Sequence, residues 1–294
     1  MRRRPILWAS VILLALFAYD AVVRSALLSL VALPLVLGGL KVLTAILALF
    51  SITHAWYAIG GRRTVAFFVL SAAISWAYEQ VGVMTGLVFG AYHYTDYLGG
   101  KLGDVPLLIP LAWFMMIYPS FATATLAVDG RPAGDASAAR RPWQLVRLAV
   151  ASAAVMTAWD LVIDPILSGP SARAWVWETG GPYFGIPIQN YLGWLLTTFT
   201  VYVAYMAVER RWSEAAAAET APTDMSPAVA ALPLAAYGLM LVADLVSGAA
   251  PAGLAIIGPV VMGVPLAWAV WRLGSAVGGP DRQSGGTGNT SVEY

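Results

Sequence analysis

The chain has 294 residues, 59% of them hydrophobic and only 11% charged, with a mean hydropathy of +0.72 and a net charge of +1; this balance belongs in a lipid bilayer, not in a soluble domain. The absence of cysteine excludes disulfides, thiolate metal sites and cysteine nucleophiles together. With only two histidines, His54 and His93, a histidine-rich di-iron centre lacks its ligands, and no Gly-x-Gly-x-x-Gly follows a strand pattern to hold a flavin or nicotinamide.

Arg2, Arg3 and Arg4 precede an apolar run over 5–23, the layout of a signal peptide with its basic leader. More hydrophobic segments follow with no soluble domain to deliver, so the run is read as a first transmembrane helix ending near Arg24. The stretch 25–60 exceeds the roughly 20 residues that span a bilayer. Pro34 and Gly38-Gly39 interrupt it, which predicts one long, kinked or partly interfacial helix. Further spans are predicted over 64–85, 106–128, 142–164, 187–208, 228–245 and 254–272. The fold expected is an all-α polytopic bundle of eight spans, with seven as the alternative count. Residues 1–276 form one transmembrane domain, and the tail 277–294, rich in Gly, Ser, Thr and Asn, has too little apolar surface to fold. Loops carrying Arg62-Arg63, Arg131/Arg140/Arg141 and Arg210-Arg211 alternate with loops nearly free of base. The positive-inside rule then puts both termini in the cytoplasm. Nine spans would place Arg62-Arg63 opposite Arg2 to Arg4, against that rule.

Within this frame the stretch Ala158-Trp-Asp-Leu-Val-Ile-Asp-Pro165 stands out. Asp160 and Asp164 are four residues apart, so a helix stacks both on one face, and carboxylates at membrane depth are rarely left without a partner or a task. Counted from the basic side, Glu79 lies about 24 Å along its helix and Asp160 about 27 Å along its own, the same depth. Asn190 and Trp194 enter from the other side and lie about 5–11 Å below that surface, as Trp113 does from Pro106. A faint echo links Glu79…Phe89-Gly90…Pro106…Trp113 with Asp164…Phe184-Gly185-Ile-Pro187…Trp194, the mark of a duplicated helix pair or of ordinary interfacial aromatics.

Plainer readings compete. Asp164 precedes Pro165, which predicts a helix end with a solvated aspartate. Glu79 is a carboxylate for Lys41 or a tyrosine hydroxyl to neutralise. Tyr92, His93, Tyr94 and Asp96, like Trp175, Trp177 and Glu178, suit an interfacial loop. Asp20 and Asp244, alone near helix ends, are read as structural.

The strings Glu79-Gln-Val-Gly-Val-Met-Thr-Gly-Leu-Val-Phe-Gly-Ala-Tyr-His-Tyr94, Val105-Pro…Ile109-Pro-Leu-Ala-Trp113, Asp160-x-x-x-Asp164-Pro and Gly181-Pro-Tyr-Phe-Gly-Ile-Pro187…Asn190-Tyr-Leu-Gly-Trp194 resemble the membrane carotenoid hydratase family. That family includes acyclic-end (1′,2′) carotenoid hydratases and bisanhydrobacterioruberin hydratase. The resemblance covers about 65–205. It implies addition of water to the terminal C1,C2 double bond of an acyclic (ψ-end) carotenoid such as lycopene, in a multi-pass protein of the cell membrane. Such hydration needs an acid, a water and a shielded cation, but no metal or cofactor. A carboxyl group at membrane depth beside a second one keeps a proton available, and aromatic faces stabilise a tertiary cation. On physical grounds Asp160, Asp164 and Glu79 are the candidate acid and base, Tyr94 and Asn190 hold water, and Trp113, Trp175, Trp177, Tyr183 and Trp194 line the substrate. The partners implied are a lipophilic carotenoid, water, membrane lipid and other carotenoid enzymes, with no nucleic acid. Three alternatives stay open: a membrane prenyltransferase holding Mg²⁺ on its aspartates, a cofactor-free carotenoid cyclase, and a transporter with carboxylates along an ion path.

Overall fold

The computed structural model describes residues 4–27, 39–132, 140–215 and 225–277. Arg2, Arg3, Pro34, Gly38 and the tail after Val277 lie outside the described residues. Helix α1 (Arg4–Phe17) continues through a π-helical segment, Ala18–Arg24, into the short α2 (Ser25–Leu27). Then follow α3 (Gly39–Ile59), α4 (Gly61–Thr85), strands β1 (Tyr92–Tyr94), β2 (Lys101–Leu102) and β3 (Val105–Pro106), and α5 (Leu108–Asp129). The second half holds α6 (Pro142–Leu167), β4 (Trp175–Trp177), α7 (Ile188–Ala215), α8 (Pro227–Ala230), α9 (Leu232–Val246), α10 (Leu254–Val261) and α11 (Gly263–Val277). Among the described residues, eight helical stretches are long and apolar enough to cross a membrane, the number read from the sequence. One boundary moves. The first stretch runs Arg4–Leu27, past Arg24, and the next is Gly39–Ile59, so the described parts of 25–60 belong to two spans and not to one long helix.

The second correction concerns Pro165. The helix does not stop at Asp164: α6 runs to Leu167 with Pro165 inside it. A helical proline lacks the N–H that would meet the carbonyl four residues back, here Leu161. The Tyr183 hydroxyl supplies that donor instead, at 2.8 Å from the Leu161 carbonyl. Pro119 inside α5 is handled likewise, with the Ser51 hydroxyl 2.8 Å from the Met115 carbonyl. In a bilayer no water is at hand to satisfy a freed carbonyl, so each side chain is what lets its helix continue.

Helices α5 and α6 are the most deeply buried of the spans, with α3, α4, α7 and α9 packed around them. Their lower half is closed by rings. Phe67 stacks on Tyr205 at 3.9 Å and meets Phe114 and Phe121 edge-on. Hydroxyls of Tyr202 and Tyr237 donate to the Ile117 and Val155 carbonyls at 3.0 and 2.8 Å. His54 is fully committed there, between the Tyr118 hydroxyl at 2.7 Å and the Val229 carbonyl at 3.0 Å. At the basic end Asp129 pairs with Arg140 and Arg147, at 2.9 and 3.2 Å. Glu79, Asp160, Asp164 and Asn190 lie toward the opposite end of the bundle and line one cavity there.

Candidate functional site

That end is roofed by two small antiparallel ribbons. β1 pairs with β4 in the register Tyr92↔Trp177, His93↔Val176, Tyr94↔Trp175, and β2 pairs with β3. Since alternate strand residues face opposite ways, Tyr92, Tyr94, Trp175 and Trp177 share one face, which lines a cavity of about 330 Å³. His93 takes the other face and sits exposed, 3.3 Å from Glu178. The loop residues 92–94 and 175–177 are thus a strand pair whose tyrosine and tryptophan rings line the cavity, while His93 stays exposed as its plain reading expects. Gly193 lets this roof seat on α7, because a Cβ there would lie 2.6 Å from the Val88 carbonyl and 2.7 Å from the Phe89 ring. Gln189 then donates to the Gly86 and Leu87 carbonyls at 2.9 and 2.6 Å, closing the free end of α4.

Beneath the roof lie three buried carboxylates from two helices. Glu79 of α4 accepts from the Tyr92 and Tyr94 hydroxyls on Oε2, the latter at 2.9 Å, and from Trp113 Nε1–H on Oε1 at 3.0 Å. Its partners are two tyrosines and an indole; the exposed Lys41 is not among them. Asp164 of α6 accepts from Trp175 and Trp177 on Oδ1, at 2.8 and 3.3 Å, and from Asn190 Nδ2 on Oδ2 at 2.8 Å. Asp160, one turn earlier, accepts among the described residues only from the same Asn190 amide, on Oδ2 at 2.9 Å. Its Oδ1 is buried with no hydrogen-bond partner among the described residues. Burial, then the charge of Glu79, pushes the Tyr92 and Tyr94 phenols well above their ordinary range, so both remain proton donors. Burial, and after it the charges of Asp160 and Asp164, raises Tyr183 to about 12.

The structure brings together nine of the ten candidate site residues, Tyr183 being the exception. Glu79, Tyr94, Trp113, Asp160, Asp164, Trp175, Trp177, Asn190 and Trp194 all line the cavity. Tyr183 stands one step behind, on the Leu161 carbonyl. Four residues were missed as site members. Tyr92 was legible in the period-two pattern Tyr-His-Tyr, which mirrors Trp-Val-Trp on its partner strand. Trp159, Asp20 and Asp244 also line the cavity, and nothing local in the sequence separates these two aspartates from helix-end residues. Asp20 sits on the π-helical segment, paired with Arg24 at 3.2 Å, and π-segments are frequent at functional sites.

A many-spanning membrane protein with an aromatic chamber lined by five buried carboxylates, Asp20, Glu79, Asp160, Asp164 and Asp244, is the class these features define. The family model described as "Carotenoid biosynthesis protein" matches residues 38–262, and the chain belongs to that family. A curated relative, the bisanhydrobacterioruberin hydratase of Haloarcula japonica, is 34% identical over 137 residues, which is 46% of this chain and 42% of the relative. The match thus spans less than half the length of either protein. No solved structure matches the chain.

Proposed function

We propose that this protein hydrates the terminal C1,C2 double bond of an acyclic carotenoid, using its own carboxyl groups as acid and base. The observation that carries the reading is the unequal treatment of the three carboxyl groups. Glu79 and Asp164 each collect three N–H or O–H donors, which favours their ionised forms, whereas Asp160 has one donor and one bare buried oxygen. Of these three, Asp160 is therefore the group that carries a proton into the chamber.

Asp160 Oδ1–H protonates the less substituted alkene carbon, leaving a tertiary cation on its neighbour. The indole and phenol faces around it and the fixed charge of Glu79 lower the energy of that cation. Water held between Tyr94 and Asn190 adds to the cation and gives its extra proton to Asp164. Asp164 shares the Asn190 amide with Asp160, so the proton returns to Asp160 within the pair. The balance is one water consumed, hydrogen on one carbon and hydroxyl on the other. A cavity of about 330 Å³ is at the small end of ligand sites. It suits the end of a polyene, the rest of the molecule lying in the lipid of the cell membrane.

The test is expression in lycopene-making cells grown in isotopically labelled water or under labelled dioxygen, with mass spectrometry of the pigments. The expected product gains the mass of water, with oxygen from water. Label arriving from dioxygen, or pigments prenylated or cyclised without added oxygen, would overturn the reading.

A further inference from the structure

Asp244 lies on α9, outside the strings that carry the family resemblance, yet it is buried and lines the same cavity as Asp160. Its Oδ2 accepts Trp159 Nε1–H at 3.2 Å, the one side-chain hydrogen bond Asp244 makes among the described residues. Trp159 in turn meets Trp194 edge-on, with centroids 6.0 Å apart and planes at 78°. Trp194 stacks on Trp113 at 4.0 Å and 14°, and the Trp113 N–H ends on Glu79. Three indoles thus form a continuous wall of the chamber, pinned at each end by a carboxylate that accepts an indole N–H.

We infer that Asp244 is a positioning residue for the reaction, holding Trp159 so that the three-indole wall faces the carbocation formed on the substrate. The inference rests on the hydration reading above. A buried carboxylate is costly in a span, and one whose visible task is to orient a single indole is explained if that ring's angle matters. An indole has strong attraction for a cation over its face and little at its edge, because its quadrupole is negative on the face and positive at the rim. A ring free to turn loses that contact. Anchoring through N–H fixes the plane of the ring. Trp159 and Asp160 are consecutive on α6, so the wall and the acid move together if the helix shifts.

The experiment compares wild type, Asp244→Leu, Asp244→Asn, Trp159→Phe and the double variant Asp244→Leu/Trp159→Phe, each purified in lipid nanodiscs and assayed with an acyclic carotenoid. Asp244→Leu is expected to lower kcat about ten- to a hundredfold, with KM within about twofold because ground-state binding of a neutral polyene does not use the cation. Asp244→Asn still offers an amide oxygen to the indole and is expected to stay within about threefold of wild type. The double variant should be no slower than Trp159→Phe alone, since Asp244 acts only through Trp159. Additive losses, an unaffected Asp244→Leu, or an Asp244→Asn as poor as Asp244→Leu would each overturn the positioning role. If Asp244→Leu does not accumulate in the membrane, Asp244→Asn in the Trp159→Phe background replaces it: no further loss supports the inference and a further loss overturns it. A wild-type protein that forms no hydrated carotenoid would overturn the hydration reading, and this inference with it, whereas an active wild type with an indifferent Asp244→Leu overturns this inference alone.

Discussion

Trp113 and Trp194 stack face to face, with ring centroids 4.0 Å apart and planes inclined by 14°. Each lies in the second turn of a helix that follows a strand of the roof, Trp113 on α5 and Trp194 on α7. In the roof above them β1 pairs with β4 about His93↔Val176. The two halves also treat their carboxylates alike. Glu79 is held by the tyrosines of its own strand β1 and by Trp113 of the next helix, as Asp164 is held by the tryptophans of β4 and by Asn190 of α7. The odd member is Asp160, which has no counterpart one turn before Glu79, where Ser75 stands. Chemistry that needs one acid among fixed anions is located at that asymmetry.

From this follows the first expectation. Asp160→Asn and Glu79→Gln are nearly isosteric and remove a titratable group, so both proteins should insert and fold as wild type does. Positioned acid–base groups contribute about 10²–10⁴-fold, and hydrated product per unit of inserted protein should fall by that order in Asp160→Asn. The loss in Glu79→Gln should be comparable, because an amide there faces Tyr92, Tyr94 and Trp113, all donors, with its own NH₂. Full activity in Asp160→Asn would mean that the acid lies elsewhere.

The ribbon supplies a sharper contrast, because adjacent residues have opposite roles. Tyr92→Phe removes a donor from Glu79, while His93→Ala touches only an exposed pair with Glu178, of the kind that contributes about 0–1 kcal/mol. Carotenoid turnover should drop at least tenfold or so in Tyr92→Phe and stay within about twofold in His93→Ala. A reversed order would show that the strand register places the wrong face over the cavity. His93, exposed and outside the cavity lining, serves as the neutral control.

How much of this was legible beforehand depended on distance along the chain. The eight spans follow from hydropathy, and the shared depth of Glu79, Asp160, Asn190 and Trp113 follows from helix rise alone, both local properties. The pairing of Tyr92 with Trp177 joins residues 85 apart, and no local pattern gives a register between two three-residue strands. Asp244 and Asp20 looked like helix-end residues because their significance lies in which helix packs beside them. Pro165 misled for a different reason: the rule that proline ends a helix assumes the freed carbonyl goes to water, and here Tyr183 takes it.

Chelation separates the hydratase from the prenyltransferase alternative. The oxygens a Mg²⁺ ion would need on Glu79 and Asp164 already accept indole, phenol and amide hydrogens, and Lys101, one of two basic residues in the roof loops, donates its ammonium to the Tyr94 carbonyl at 2.8 Å. Activity should therefore persist after exhaustive EDTA treatment. Loss with EDTA and recovery on adding Mg²⁺ would point to prenyl transfer.

The last expectation concerns Tyr183 and the proline beneath it. Tyr183→Phe leaves the Leu161 carbonyl, already deprived of its helical partner by Pro165, without a donor, at a cost of about 1 kcal/mol. For a chain of this size the thermal midpoint should fall by about 2–4 °C. In Pro165→Ala the backbone N–H returns, so there the second change, Tyr183→Phe, should cost much less, a non-additivity expected of groups that share one acceptor. The pH dependence has a definite sign. Burial, then Asp160 and Asp164, raises the Tyr183 phenol in the folded protein to about 12, against about 10 when unfolded. A raised folded value means the contribution is whole below about pH 10 and is lost as pH climbs through about 12. The difference in midpoint between wild type and Tyr183→Phe should therefore be flat from about pH 7 to 10 and shrink above that, read from paired melts in detergent. Because Asp160, Asp164 and the other tyrosines are common to both proteins, their titration cancels in the difference. A gap that closes between pH 7 and 9, or one of equal size in the Pro165→Ala background, would show that the hydroxyl is not what carries α6 past its proline.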